Sequence, residues 1–368
     1  MSANDPFRKS RSTPTIVGTG LTALDVVIDD VSPEHQRLFA GGTCGNVMTI
    51  MAWLGWDAFP VARLEDDRAG QTILRDMRRW GVNTSLASLT PRATTPVVVE
   101  RIKRKPSGES VHRFVWTCPG CGAWLPGYKA VVGSCVDTVT EAVPAADVYF
   151  FDRVSRAAVN LAKWYHENGS WVVFEPSANA NPKQFREALQ YVHVLKYSDE
   201  RMNEMSGLTG TNRPLLQVET QGADGLRYRL ASQRSKRAAW KSLPQCPAPS
   251  VLDTAGAGDW CTAGLVHLLQ QLGRPDSAKL TQINVEEALR FGQSLAAWTC
   301  QFAGPRGGMY KQSAELIQAE VNHILFGHEM DVTGLRSGRV RRSTEIECVS
   351  AMCTGPNVRA AREPVEQR

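Results

Sequence analysis

The 368-residue chain carries 42 Lys and Arg against 37 Asp and Glu, a formal charge of +5, with 42% apolar and 21% charged residues. This composition fits a soluble α/β protein of one main domain with extensions, and with no run of about 18 uncharged apolar residues it argues against a membrane span. The charge excess sits at the ends, where Arg8, Lys9 and Arg11 face Asp5 and residues 336–368 hold seven Arg against four Glu, so the neutral body is a poor nucleic-acid binder.

The N-terminal stretch MSANDPFRKSRSTP shows no apolar segment of the secretory kind, so a cytoplasmic protein is expected. Nine irregularly spaced cysteines then read as reduced thiols rather than a disulfide framework.

In chain order, β-branched apolar runs alternate with helical periodicity, the pattern of a mainly parallel sheet with crossover helices. Strands are expected at 15–17, 59–62, 148–151, 171–174, 192–196 and 215–220, and helices at 45–54, 70–80, 157–168, 257–272 and 285–300. Two regions break the alternation. Leu24–Val31, and Thr95–Lys103 followed by Ser110–Thr117, read as extended strands with no helix between them, so a small separate sheet is expected over about 22–31 and 94–117. Such a lid over an α/β crevice excludes water that would compete as an acceptor. Beyond residue 327 the text loses periodicity and scatters Arg, which reads as a poorly ordered basic tail over 328–368.

The strongest chemical signal is D-T-A-G-A-G-D, Asp253–Asp259, running directly into an apolar-periodic helix. Ala255, Gly256, Ala257 and Gly258 have too little bulk to hold a ligand away, so their amides can approach phosphate oxygens at a helix N-terminus. Asp259 then falls in the first turn, where a carboxylate can accept the proton of a hydroxyl while amides and Mg²⁺ disperse charge on the transferring phosphoryl group. For G-A-G-D alone, a loop whose Asp merely favours a helix start is an equally good reading; the full seven-residue string is more specific.

That string resembles the second signature of the ribokinase-like (PfkB) carbohydrate kinase family. A40-G-G-T-C-G-N46, followed by a helix ending in Leu54-Gly55, resembles the first. The resemblance covers roughly residues 14–327 and implies a three-layer α/β/α sandwich with a mainly parallel central sheet and a small β-strand lid. It implies an ATP-dependent kinase with Mg²⁺, acting on a sugar or nucleoside hydroxyl. Asp259 would be the catalytic base, 255–258 the anion hole, and Asp25, Gly41, Gly42 and Asn46 the acceptor contacts. T220-Q-G-A-D-G225 resembles the turn beside ATP, implying Thr220, Gly222 and Gly225, with Gln293 and Gly304 bordering adenine. Asp253 matches a position that helps hold a monovalent cation in some members, and lid-strand pairing makes a homodimer in some relatives.

The chain departs from the family at K196-Y-S-D-E-R201, where an N-x-x-E element is common. Glu200 or Asp199 would have to serve the Mg²⁺ shell from a shifted position, and a capping Ser198 with ordinary acidic neighbours reads equally well. Cys118 and Cys121 have the spacing of half a zinc site without a second pair, and otherwise read as a turn after the lid strands. Arg153, after the strand 148–151, offers a fork for an anionic acceptor such as a sugar phosphate, or pairs with a structural carboxylate. G18-T-G-L-T-A23 mimics a dinucleotide fingerprint, but the following LDVVIDD is extended where that fingerprint needs a helix. A non-catalytic ligand-binding regulator on the same fold is the competing function.

Overall fold

The structure, a computed structural model, describes residues 5–7, 12–31, 36–90, 93–105, 110–176, 181–200, 214–231, 239–327 and 344–345. Its first half runs β1 (Thr15–Thr19), β2 (Ala23–Asp29), β3 (Gln36–Gly41), α1 (Thr43–Trp53), β4 (Asp57–Leu64), α2 (Arg68–Arg79), β5 (Ala87–Leu89), β6 (Val97–Arg104), β7 (Ser110–Val115), α3 (Cys135–Ala142), β8 (Val148–Phe151) and α4 (Arg156–Glu167). The second half runs β9 (Trp171–Phe174), α5 (Pro182–Ala188), β10 (Val194–Ser198), β11 (Leu216–Thr220), β12 (Leu226–Leu230), β13 (Lys241–Leu243), α6 (Ala257–Gln270), α7 (Gln282–Thr299), α8 (Ala314–Phe326) and β14 (Thr344–Glu345).

The main sheet has the order β13-β12-β11-β10-β9-β8-β1-β4-β5, parallel from β11 to β5, with β12 and β13 antiparallel at one edge. Both faces are covered, and the strands show it residue by residue. In β8, Val148 and Phe150 pack into one apolar cluster with α1, α6 and α7, whereas Tyr149 and Phe151 pack into another with α4 and α5. A strand buried on both faces has no polar alternation, which is why VYFF and WVVF read as continuous apolar runs.

The lid is a second sheet, in the order β14-β3-β2-β6-β7, with β2 and β6 parallel and the other pairings antiparallel. Its inner face packs on α2 through Leu24, Val26, Val97 and Val99 against Ile73, Leu74 and Met77. The expected lid strands are present, but β3 was not expected. Glycines near its carboxyl end mask a run whose last four residues are buried. The segment after 327 contributes β14, pairing Thr344 with Leu38 and Glu345 with Arg37, a strand where a poorly ordered tail was expected. The rest of 328–368 lies outside the described residues.

Helices α3, α5 and α8 also went unread. Two carried the usual punctuation: Asn181 caps α5 with Pro182 at its first turn, and α8 runs from a Ser313 cap to a left-handed Gly327. β2 follows G18-T-G-L-T-A23, so no helix receives a pyrophosphate there. No helix among the described residues is long and apolar enough to cross a membrane, and none of the seven described cysteines is in a disulfide.

Candidate active site

The glycine loop enters α6 at Gly256, whose φ of 75° is left-handed and whose added Cβ would lie 2.6 Å from the Pro305 Cα. Only glycine fits this turn. Asp253 braces the loop from behind, its Oδ1 accepting from the Ala255 amide (3.0 Å) and its Oδ2 from the Gly304 amide (2.7 Å). The Ala257 amide donates to the Thr254 carbonyl (3.2 Å). Of the four expected cradle amides, those of Ala255 and Ala257 are therefore already engaged.

Asp259 sits in the first turn of α6 and is buried. Its Oδ2 accepts from Asn46 Nδ2 at 2.7 Å, while Asn46 Oδ1 accepts from Arg306 Nε at 3.1 Å. The arginine fixes which way the amide faces, and the amide presents its N–H to the carboxylate. Arg306 is itself fully buried, with Nη2 donating to the Ala40 carbonyl and, at 3.0 Å, to Asp76, which also accepts from Tyr310 and the Ala40 amide.

A second ion pair lies below the same turn. Lys196 Nζ meets Glu175 Oε1 at 2.7 Å and the Gly258 carbonyl at 3.1 Å, and Thr262 donates to Glu175 Oε2. Burial and the Glu175 carboxylate push Asp259 well above the usual carboxylate range, while the Asn46 hydrogen bond and the Lys196 ammonium pull it partway back. Burial works against the Lys196 charge, but Glu175 holds the ammonium above its ordinary value.

The residues expected on the acceptor side come from the lid and the start of α1. Asp25 on β2 is buried, and burial raises its carboxyl to about 7, partly countered by the Gly42 amide and the Arg306 guanidinium. A Cβ on Gly41 would fall 1.8 Å from Asp25 Oδ2, and one on Gly42, at φ 74°, would fall 2.5 Å from the Leu21 carbonyl. Gly41 is thus a steric requirement of the Asp25 position, and Gly42 one of the close approach of Leu21. Asp152, at the end of β8, accepts from the Leu21 amide at 2.9 Å and pairs with Arg153 at 2.7 Å. Arg153 therefore has a structural carboxylate as its partner, and its guanidinium stands 6.0 Å from the Tyr128 ring centre.

Farther along the edge, Thr220 closes β11, and the turn to β12 passes through Gly222 (φ 55°) and Gly225 (φ 93°). Gln293 is buried in α7 with its Oε1 unpartnered among the described residues, whereas Gly304 is tied to Asp253 and packs near Phe39 and Val27 of the lid. Asp199 and Glu200 lie exposed just after β10, and Arg201 lies outside the described residues. Cys118 and Cys121 flank a tight turn closed by Gly122 N to Cys118 O at 2.8 Å, one thiol buried and one exposed. Sequence reading gave no site role to Asp76, Arg306 or Glu175, and it met Lys196 only as the first residue of the departing 196–201 element; Asp76 is set among Arg75, Arg78 and Arg79, and Arg306 lies between Pro305 and Gly307.

The family model described as pfkB family carbohydrate kinase matches residues 14–117 and 138–311. The chain belongs to the pfkB family of carbohydrate kinases. A fructokinase of Klebsiella pneumoniae is 27% identical over 279 residues, covering 69% of this chain and 85% of that protein. Among solved structures, a Burkholderia thailandensis nucleoside kinase in complex with inosine aligns at TM-score 0.63 and 16% identity, over 86% of this chain and 100% of that one. An Arabidopsis thaliana ribokinase complexed with ribose and ATP aligns at TM-score 0.62 and 17% identity, over 86% and 99%. This pfkB-family kinase has the ribokinase-like fold.

Proposed function

We propose that this kinase moves the γ-phosphoryl group of ATP to a primary hydroxyl of a sugar, sugar derivative or nucleoside, with Asp259 as the base. The observation that carries the reading is Asp259 itself, a carboxylate in the first turn of α6, beside the left-handed Gly256 and oriented by Asn46. The Gly256 and Gly258 amides at that helix start face the place where a transferring phosphoryl group would gain charge.

Asp25, Gly41, Gly42 and Asn46 would position the acceptor. Asp25 accepts hydrogen bonds from substrate hydroxyls, and Asn46 keeps the Asp259 carboxylate turned toward the acceptor oxygen. Proton transfer can lag behind P–O cleavage in a loose transition state, so orientation matters more than basicity. Thr220, Gly222, Gly225 and Gln293 would line the nucleotide, with Gly304 steadying the loop through Asp253.

The exposed carboxylates of Asp199 and Glu200 at the end of β10 are an all-oxygen set of the kind Mg²⁺ accepts through water. Bound there with ATP, the ion would supply charge dispersal on the phosphates. Arg153, paired with Asp152, supports a neutral acceptor over a sugar phosphate. Pairing of lid strands remains the route to a homodimer. The test is ADP release from ATP-Mg²⁺ across a panel of sugars and nucleosides, with Asp259→Asn in parallel. Equal rates for the two proteins would reject the base and favour a regulator on this fold.

A further inference from the structure

One cluster includes two residues, Glu100 and His112, that have no part in the reaction just described. Glu100 on β6, His112 on β7 and Asp253 at the head of the glycine loop bring one ligand atom each to within 4.8 Å of one another. Two come from the lid and one from the loop that leads into α6.

Glu100 is 1% exposed, and among the described residues neither of its carboxylate oxygens has a hydrogen-bond donor. What it faces is another carboxylate, Asp253. Two acceptors in contact away from water require a cation or a shared proton between them. His112 Nδ1 lies 3.4 Å from Asp253 Oδ1 and 3.1 Å from Thr254 Oγ1. Ligands about 2.1 Å from a tetrahedral ion stand roughly 3.4 Å apart, so the imidazole and carboxylate are spaced as two donors to one ion. Asp253 keeps a lone pair on each oxygen after accepting from Ala255 and Gly304.

We propose that Glu100, His112 and Asp253 form a binding site for a divalent transition-metal ion that ties the lid to the loop preceding Asp259. An imidazole beside two carboxylates is a mixed nitrogen and oxygen set, which suits manganese, zinc or cobalt and not the alkali cations or Mg²⁺. The ion neutralises the facing carboxylates. Thr254 supplies a further oxygen at the margin.

Mn²⁺ is the probe of choice, because the thiols of Cys118 and Cys121, which are not in disulfides, would compete for zinc. The full chain, freed of metal by chelation and kept without nucleotide, is titrated with Mn²⁺ in excess K⁺ and followed by electron paramagnetic resonance. One ion per chain is expected, with echo modulation from a directly bound nitrogen. His112→Gln should abolish that modulation, and Glu100→Gln should weaken binding by at least about tenfold. Glutamine at 100 can donate to Asp253, so this variant is expected to fold; His112, partly exposed, provides the independent second variant. Binding unchanged in both variants overturns the proposal. So does an absence of nitrogen-bound Mn²⁺ together with a raised melting temperature for Glu100→Gln, the signature of a shared proton. The outcome is independent of the acceptor and of Asp259.

Discussion

The proposed acceptor half and the proposed nucleotide half of the crevice are built in opposite ways. Around Asn46 and Asp25, the polar groups are buried and locked by Arg306, Asp76 and two close-fitting glycines. Around Thr220–Gly225, short turns run at the sheet edge, and a Cβ on Gly222 would meet nothing within 4 Å. A half that must orient a hydroxyl to within a fraction of an ångström benefits from preorganisation, whereas a half that grips a polyanion can rely on backbone and charge.

The largest break in that comparison is expected from Asp259→Asn, which keeps the shape but removes the proton acceptor. Turnover should fall by about 10²–10⁴-fold, with binding of a nonhydrolysable ATP analogue unchanged by calorimetry. Next comes Arg306→Met, which strands the buried Asp76 carboxylate and frees Asn46 to turn. Urea unfolding should show a loss of about 3–5 kcal/mol.

On the nucleotide side, Gly225→Ala meets both a left-handed backbone and the Leu243 carbonyl at 2.4 Å. About 1–3 kcal/mol of local strain should appear as a raised KM for ATP, with the acceptor KM unmoved. A smaller effect is expected from Glu175→Gln. Glu175 raises the Asp259 carboxyl, so its neutralisation should move the acidic limb of the pH–rate profile to lower pH.

Asp25→Asn gives a pH signature. Because folding lifts the carboxyl from its ordinary value near 3.8 to about 7, the folded state holds this proton more tightly than the unfolded one. The protonated carboxyl's contribution is whole below pH 4 and is lost as pH rises toward and through 7. The variant should therefore gain in melting temperature relative to wild type across that window, while acceptor KM rises.

How much of this was legible depended on sequence distance. The loop 253–259 is contiguous, its function written in the smallness of adjacent residues, and β8 and β9 were readable because strands buried on both faces are apolar without interruption. Arg306 and Asp76 lie 230 residues apart, and neither sits in a pattern that marks it. Lys196 was visible, but only as part of a motif that departs from the family. Its partnership with Glu175 needed β9 and β10 to be placed side by side. β3 and β14 went unread for a related reason, since a strand's identity at a lid edge is decided by its neighbour more than by its own residues.

One anchor has a consequence for how such a kinase can change. At the far end of α6, His267 accepts from Trp56 Nε1 at 2.9 Å and donates to the Pro6 carbonyl at 3.1 Å, and burial lowers its pKa to about 4, so it stays neutral. The helix that carries Asp259 is thus pinned at head and foot to the main body, while Asp25 and Gly41 ride on the lid sheet. On the proposed function, the base and the lid's acceptor contacts would then sit in different layers, joined through Arg306 and the Ala40 carbonyl, so that substitutions elsewhere in the lid could change the acceptor while α6 keeps its anchors.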